Sequence, residues 1–124
     1  MSMRKYHETT VQQIKADREV QNALAFVRAT VPPNELWAQL AEEATELAQA
    51  ALKLRRSTGG ANPTPVKPDE AFGAVMEEVA DVTLLLHVLQ LDTSPDAIET
   101  MGRLKLLRWR DRLEESMIER EVER

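Results

Sequence analysis

The chain is expected to be all-α, a four-helix bundle-like subunit that oligomerises. Three observations predict this. Apolar residues recur at helical spacing in four successive segments, proline-bearing breaks separate those segments, and no stretch alternates apolar and polar residues as a strand would. At 124 residues the chain is expected to form a single domain over residues 1–124, and a helical chain of this size commonly extends its core by self-association.

Residues 1–7 are expected to be a loose lead-in, with the first helix starting near Glu8. Val20, Leu24, Val27 and Val31 fall at i, i+4, i+7 and i+11, so they share one face. Pro32-Pro33-Asn34 ends that helix, because a residue before proline leaves the α region and proline has no amide donor. Asn34 is expected to cap the second helix, which runs to about Arg56 with Leu36, Leu40, Leu47, Ala51 and Leu54 as its apolar stripe. Ser57 to Lys67 carries two glycines and two prolines and reads as a loop, either a connector or a flap over a site. Pro68-Asp69-Glu70 suits a first helical turn, and the third helix is expected to reach about Leu91. Beyond Glu78 that helix is apolar almost all round, so Asp81 within it is expected to be largely buried. Ser94 and Pro95 restart the chain as N-cap and N1 of a fourth helix ending near Glu119, with 120–124 as a loose tail.

The formal net charge of −5 argues against a nucleic-acid polymer as partner. The absence of cysteine removes disulfides, thiolate catalysis and thiolate metal sites, and fits a reducing compartment. The N-terminal stretch has no signal-type apolar core. The longest nearly apolar run, Val79 to Leu91, is too short to span a bilayer and contains Asp81 and His87. A cytoplasmic protein with no membrane partner is the expectation.

The chemistry concentrates in a repeated acidic pattern. Glu42-Glu43-Ala44-Thr45-Glu46 lies on the second helix and Glu77-Glu78-Val79-Ala80-Asp81 on the third. Residues three apart share a helix face, so Glu43 pairs with Glu46 and Glu78 with Asp81. Glu43 stands inside an apolar stripe, between Leu40 and Leu47. Four carboxylates on two packed helices need cations to stay ionised when withdrawn from water. An all-oxygen donor set without sulfur and with little imidazole suits Mg²⁺, with Mn²⁺ as a substitute. Each motif alone is an ordinary solvated helix face; their repetition on two apolar helices points to a site. A ferritin-like di-iron site needs Glu-x-x-His, and His87 follows Leu84 by three residues while His7 follows Arg4. Glu42 and Glu77 stand one residue from the ligand pairs and are candidates for accepting a proton from water.

On the fourth helix Lys105, Arg108 and Arg112 are spaced by three and four and share a face. That stripe either holds phosphates or pairs with Asp111, Glu114 and Glu115. Trp37 and Trp109 are candidate stacking surfaces for a base, with core or interface packing as the competing role.

The run Leu36 to Leu47, followed by Glu77-Glu78-Val79-Ala80-Asp81-Val82, resembles the MazG-like all-α nucleoside triphosphate pyrophosphohydrolases. Their signature is Glu-Glu-x-x-Glu followed by Glu-x-x-Asp. Lys105 to Leu113 is similar to the basic final helix of the small, phage-type members. The resemblance implies cleavage of a nucleoside triphosphate to the monophosphate and pyrophosphate, with Mg²⁺ held by Glu43, Glu46, Glu78 and Asp81. It makes Glu42 an outer-shell acid or the water-activating base, and Lys105, Arg108 and Arg112 phosphate contacts. It implies a homodimer or homotetramer and a role in clearing unwanted nucleotides. The loop between the motifs is longer than in compact members, so substrate preference does not transfer. The reading from another class is a noncatalytic helical module that binds a partner or a nucleotide without turnover.

Overall fold

A computed structural model describes the backbone of residues 3–59 and 64–124, with side chains from Lys15 onward in the first of these stretches. Four helices follow one another: α1 (Met3–Thr30), α2 (Pro33–Ser57), α3 (Pro68–Val88) and α4 (Pro95–Val122), with no strand among the described residues. The chain divides into two compact units, Met1–Gln90 and Leu91–Arg124.

In the first unit α2 and α3 form an antiparallel pair. Leu36 at the start of α2 meets Leu85 and Val88 at the end of α3, and these three form the main buried cluster, with Ala71 in the first turn of α3 buried outside it. Leu24 and Val27 of α1, and Val31 just beyond it, close over that end, with Leu40 and Leu89 alongside. The α1 face read from the sequence is therefore the packing face, except that Val20 stays exposed.

Several boundaries differ from expectation, each for a local reason. The described part of α1 is already helical at Met3, so residues 3–7 are not a loose lead-in; residues 1–2 lie outside the described residues. Asn34 is not the N-cap of α2. Pro33 occupies the first helical position, where its fixed φ and missing amide cost nothing, and Pro32 caps through its backbone. The amides of Glu35 and Leu36 donate to the Pro32 carbonyl at 3.0 and 3.2 Å. Pro68 and Pro95 open α3 and α4 as expected, and Ser94 holds the cap position without a side-chain hydrogen bond. The helical part of α4 extends to Val122, past Glu119. Gly60, Asn62 and Pro63, on which the reading of a long loop or flap rests, lie outside the described residues.

The third helix stops at Val88, three residues before the expected Leu91. Gln90 takes φ 60°, a left-handed conformation that an α-helix cannot continue. Arg28 of α1 supplies partners for the carbonyls left over: Nε donates to Val88 O at 3.0 Å and Nη2 to His87 O at 2.7 Å. A guanidinium at a helix C-terminus also meets the negative end of the dipole. Arg28→Ala is therefore expected to destabilise the first unit by about 1–2 kcal/mol, read as a lower urea midpoint at unchanged slope.

The expectation of a buried Asp81 is overturned: Asp81 is exposed, as are Phe72, Met76, Val79 and Leu84 on the same helix. The first unit covers α3 on its α2 side and, near its C-terminal end, on its α1 side. The remaining apolar surface of α3, with Phe72, Met76, Val79 and Leu84, is exposed among the described residues.

In the second unit no residue of α4 is buried. Arg103 pairs with Glu99 one turn away at 2.7 Å, and Arg110 pairs with Asp111 at 3.0 Å. Pairs this exposed contribute little to stability. No helix among the described residues is long and apolar enough to cross a membrane.

Candidate metal centre

The antiparallel pairing brings the middle of α2 opposite the middle of α3. Glu43 and Glu46, one turn apart on α2, there face Glu78 of α3, and carboxylate oxygens of all three lie within 4.8 Å of one another. Glu43 and Glu78 are half-buried and Glu46 is exposed, so the cluster is a rim site with a dry floor. Oε2 of Glu43 and Oε2 of Glu78 are shielded from solvent, and no hydrogen-bond donor reaches either. Buried carboxylate oxygens normally have a donor or a cation. Three hard oxygen donors at this spacing can chelate a divalent metal.

Electrostatics records the same conflict. Loss of hydration is the main reason the Glu43 carboxyl is pushed up from 4.5 to about 7, followed by the charges of Glu46 and Asp81. Glu78 is also raised, again by desolvation first and then by Glu46 and Asp81. Asp81 therefore acts on both acids electrostatically while standing outside the close triad.

A pH prediction follows from Glu43. Its folded value, about 7, lies above its ordinary value of 4.5, so between those limits the folded state binds more protons than the unfolded state. Stability then falls as pH rises through this window, and the penalty is fully present above it. The metal-free chain is expected to melt at higher temperature near pH 5 than at pH 8. Saturating Mg²⁺ is expected to reduce that difference, because a cation favours the ionised carboxylates. Thermal melts with EDTA and with Mg²⁺ across this range check both points.

Two open clefts flank the triad. One, of about 400 Å³, is lined by Ala41, Glu42, Thr45, Glu46 and Gln49, which sets Glu42 beside Glu46 at an accessible position. The other, of about 580 Å³, runs along the same helices and carries Lys53 and Arg56 as well as Glu46 and Glu78. Sequence reading passed over these two bases. The signal was available, because Glu46, Gln49, Lys53 and Arg56 fall at i, i+3, i+7 and i+10 on one face of α2.

The other sequence-derived residues are placed as follows. Glu77 is exposed on α3. Trp37, in the second turn of α2, is half exposed, and so is Trp109 on α4, so neither packs into a core of its own unit. Lys105, Arg108 and Arg112 are exposed residues of α4, in the second unit. The alternative role for these three, pairing with Asp111, Glu114 or Glu115, is not seen among the described residues; Arg110 pairs with Asp111 and Glu114.

No protein-family model, no curated protein and no solved structure matches the chain. Fold and site together define a small all-α chain of four helices with an acidic triad able to chelate a divalent metal.

Proposed function

We propose that the protein is a Mg²⁺-dependent nucleoside triphosphate pyrophosphohydrolase. The observation that carries this reading is the triad of Glu43, Glu46 and Glu78 with two shielded oxygens that lack any donor. The resemblance of both acidic motifs to those of the MazG-like enzymes supports it. A purely structural helix pair gains stability by replacing such acids with apolar residues.

On this reading Glu43, Glu46 and Glu78 hold the metal, and Asp81, whose charge already bears on two of them, joins as fourth ligand. Bound Mg²⁺, or Mn²⁺ in its place, supplies neutralisation of phosphate oxygens and of the leaving pyrophosphate. Glu42, exposed beside Glu46, accepts the proton of the attacking water. The water oxygen bonds to a phosphorus of the α–β bridge, the bridging P–O bond breaks, and monophosphate and pyrophosphate leave. Trp37 is the candidate surface for the base. The resemblance assigns phosphate contacts to Lys105, Arg108 and Arg112, and the same reading makes the chain a homodimer or homotetramer that clears unwanted nucleotides. The exposed Leu52, Phe72, Met76 and Leu84 support self-association.

The test is incubation with a panel of nucleoside and deoxynucleoside triphosphates, noncanonical ones included, plus Mg²⁺. Equimolar monophosphate and pyrophosphate, abolished by EDTA, is the expected result. Absence of product across the panel overturns the enzyme reading in favour of a noncatalytic module.

A further inference from the structure

Lys53 and Arg56 have no acidic neighbour in helical reach. Positions three and four residues away from Lys53 hold Gln49, Ala50, Arg56 and Ser57, and those before Arg56 hold Leu52 and Lys53. Two cations one turn apart on one face repel each other, in a chain whose net charge is −5 and which offers many acids for pairing. Neither joins an ion pair among the described residues.

Arg56 is also held in place. Its Nε donates to Thr64 Oγ1 at 3.0 Å, and its carbonyl accepts from the Thr64 amide at 3.4 Å. The side chain is half-buried, and its two terminal nitrogens have no partner among the described residues. A guanidinium anchored through Nε presents its remaining edge as a fork, the geometry that grips phosphate oxygens. Lys53 is exposed and lies two turns beyond Glu46, about 10 Å along the helix axis. Long side chains on a helix lean toward its N-terminus, which shortens that gap. Both bases line the cleft of about 580 Å³ that also reaches Glu46 and Glu78, a size within the range of small-ligand sites.

We infer that Lys53 and Arg56 hold the phosphates at the far end of a metal-bound polyphosphate chain, in the cleft they share with Glu46 and Glu78. The inference rests on the metal reading of the triad. One end of the cleft carries acids that need a cation, and the other end carries cations that need an anion. A polyphosphate with its divalent ion satisfies both at once. The same cleft then binds inorganic pyrophosphate after the bond has broken, so pyrophosphate is expected to inhibit turnover competitively.

The test is calorimetric titration of the full chain with inorganic pyrophosphate in the presence of Mg²⁺, beside a separate titration with Mn²⁺ alone followed by electron paramagnetic resonance. Lys53→Gln and Arg56→Gln are each expected to weaken pyrophosphate binding about tenfold or more, with Mn²⁺ uptake unchanged. Lys53→Arg restores most of the affinity. Arg55→Gln serves as control, because Arg55 lies on the same last turn of α2 but about 200° round the helix from Lys53. Lys53 is exposed and outside the core, so its variant keeps the test sound if Arg56→Gln loosens the Thr64 contact. Normal Mn²⁺ uptake with absent pyrophosphate binding, or with binding that Lys53→Gln and Arg56→Gln leave intact, overturns this inference and spares the metal site. Absence of Mn²⁺ uptake by the unmodified chain overturns the metal reading and this inference with it.

Discussion

Replacing Glu43 or Glu78 by glutamine is expected to raise the melting temperature of the metal-free chain at pH 8 and to remove its response to Mg²⁺. The two halves have one cause. Glu43 is ionised above its raised value of about 7, Glu78 is likewise made costly to ionise by lost hydration, the Oε2 atoms of both are shielded from water with no donor reaching them, and Glu46 and Asp81 add like charge. A glutamine keeps the shape and removes the charge. The same substitution deletes a ligand, so the stabilisation that a cation gives the native state disappears. For the unmodified chain that stabilisation amounts to about 2.7 kcal/mol at a hundred times the dissociation constant. If the protein turns over nucleotides, each variant loses activity by roughly 100-fold or more, since even partners one step removed from a metal cost 10- to 100-fold. Helix content stays unchanged by circular dichroism. A variant that is less stable without metal and equally responsive to Mg²⁺ contradicts the assignment.

Leu36→Ala is expected to destabilise the first unit by roughly 2–5 kcal/mol, the cost of removing a buried leucine from a site that cannot collapse. Leu36 is 5% exposed and joins Leu85 and Val88 in a core of three buried residues that ties α1, α2 and α3 together at one end. Val20→Ala, on the same side of α1 but 63% exposed, is expected to change stability by less than about 0.5 kcal/mol. Denaturant unfolding of the two variants separates them. Leu36 lies two turns from Glu43, so the folded fraction of Leu36→Ala is expected to take up Mg²⁺ with ordinary affinity. Loss of both properties together would mean that the core end and the acidic cluster are one cooperative device.

How far the sequence could be read depended on whether a feature was local. Prolines at 68 and 95 act on their own backbone, and the helix starts they mark are where the chain places them; α2 starts at Pro33, two residues before the start that a cap at Asn34 implies. The convergence of Glu43, Glu46 and Glu78 was also readable, because it needs only two helical motifs and a short-range antiparallel pairing. Asn34 misled because its own propensity for capping competes with Pro33, which takes the first helical position outright. The end of α3 was not readable at all. It falls at the left-handed turn of Gln90 and is satisfied by Arg28, some sixty residues away, whose guanidinium donates to the carbonyls of His87 and Val88. Asp81 was expected to be buried because its neighbours are apolar; apolar neighbours bury an acid only if another element covers them, and Asp81, Val79 and Leu84 are exposed among the described residues. Lys53 and Arg56 continue the helix face of Glu46, but the cleft that joins them to Glu78 exists only once α2 and α3 are paired.

Uptake of Mn²⁺ followed by electron paramagnetic resonance tests the central claim most directly, because it reads the metal site without requiring a substrate. The account predicts that the free-ion signal falls as protein is added, that Mg²⁺ restores it by competition, and that Glu43→Gln and Glu78→Gln each weaken uptake by roughly 10- to 100-fold or more. A signal that stays at its free-ion intensity with the unmodified chain, or uptake that both variants retain in full, contradicts it.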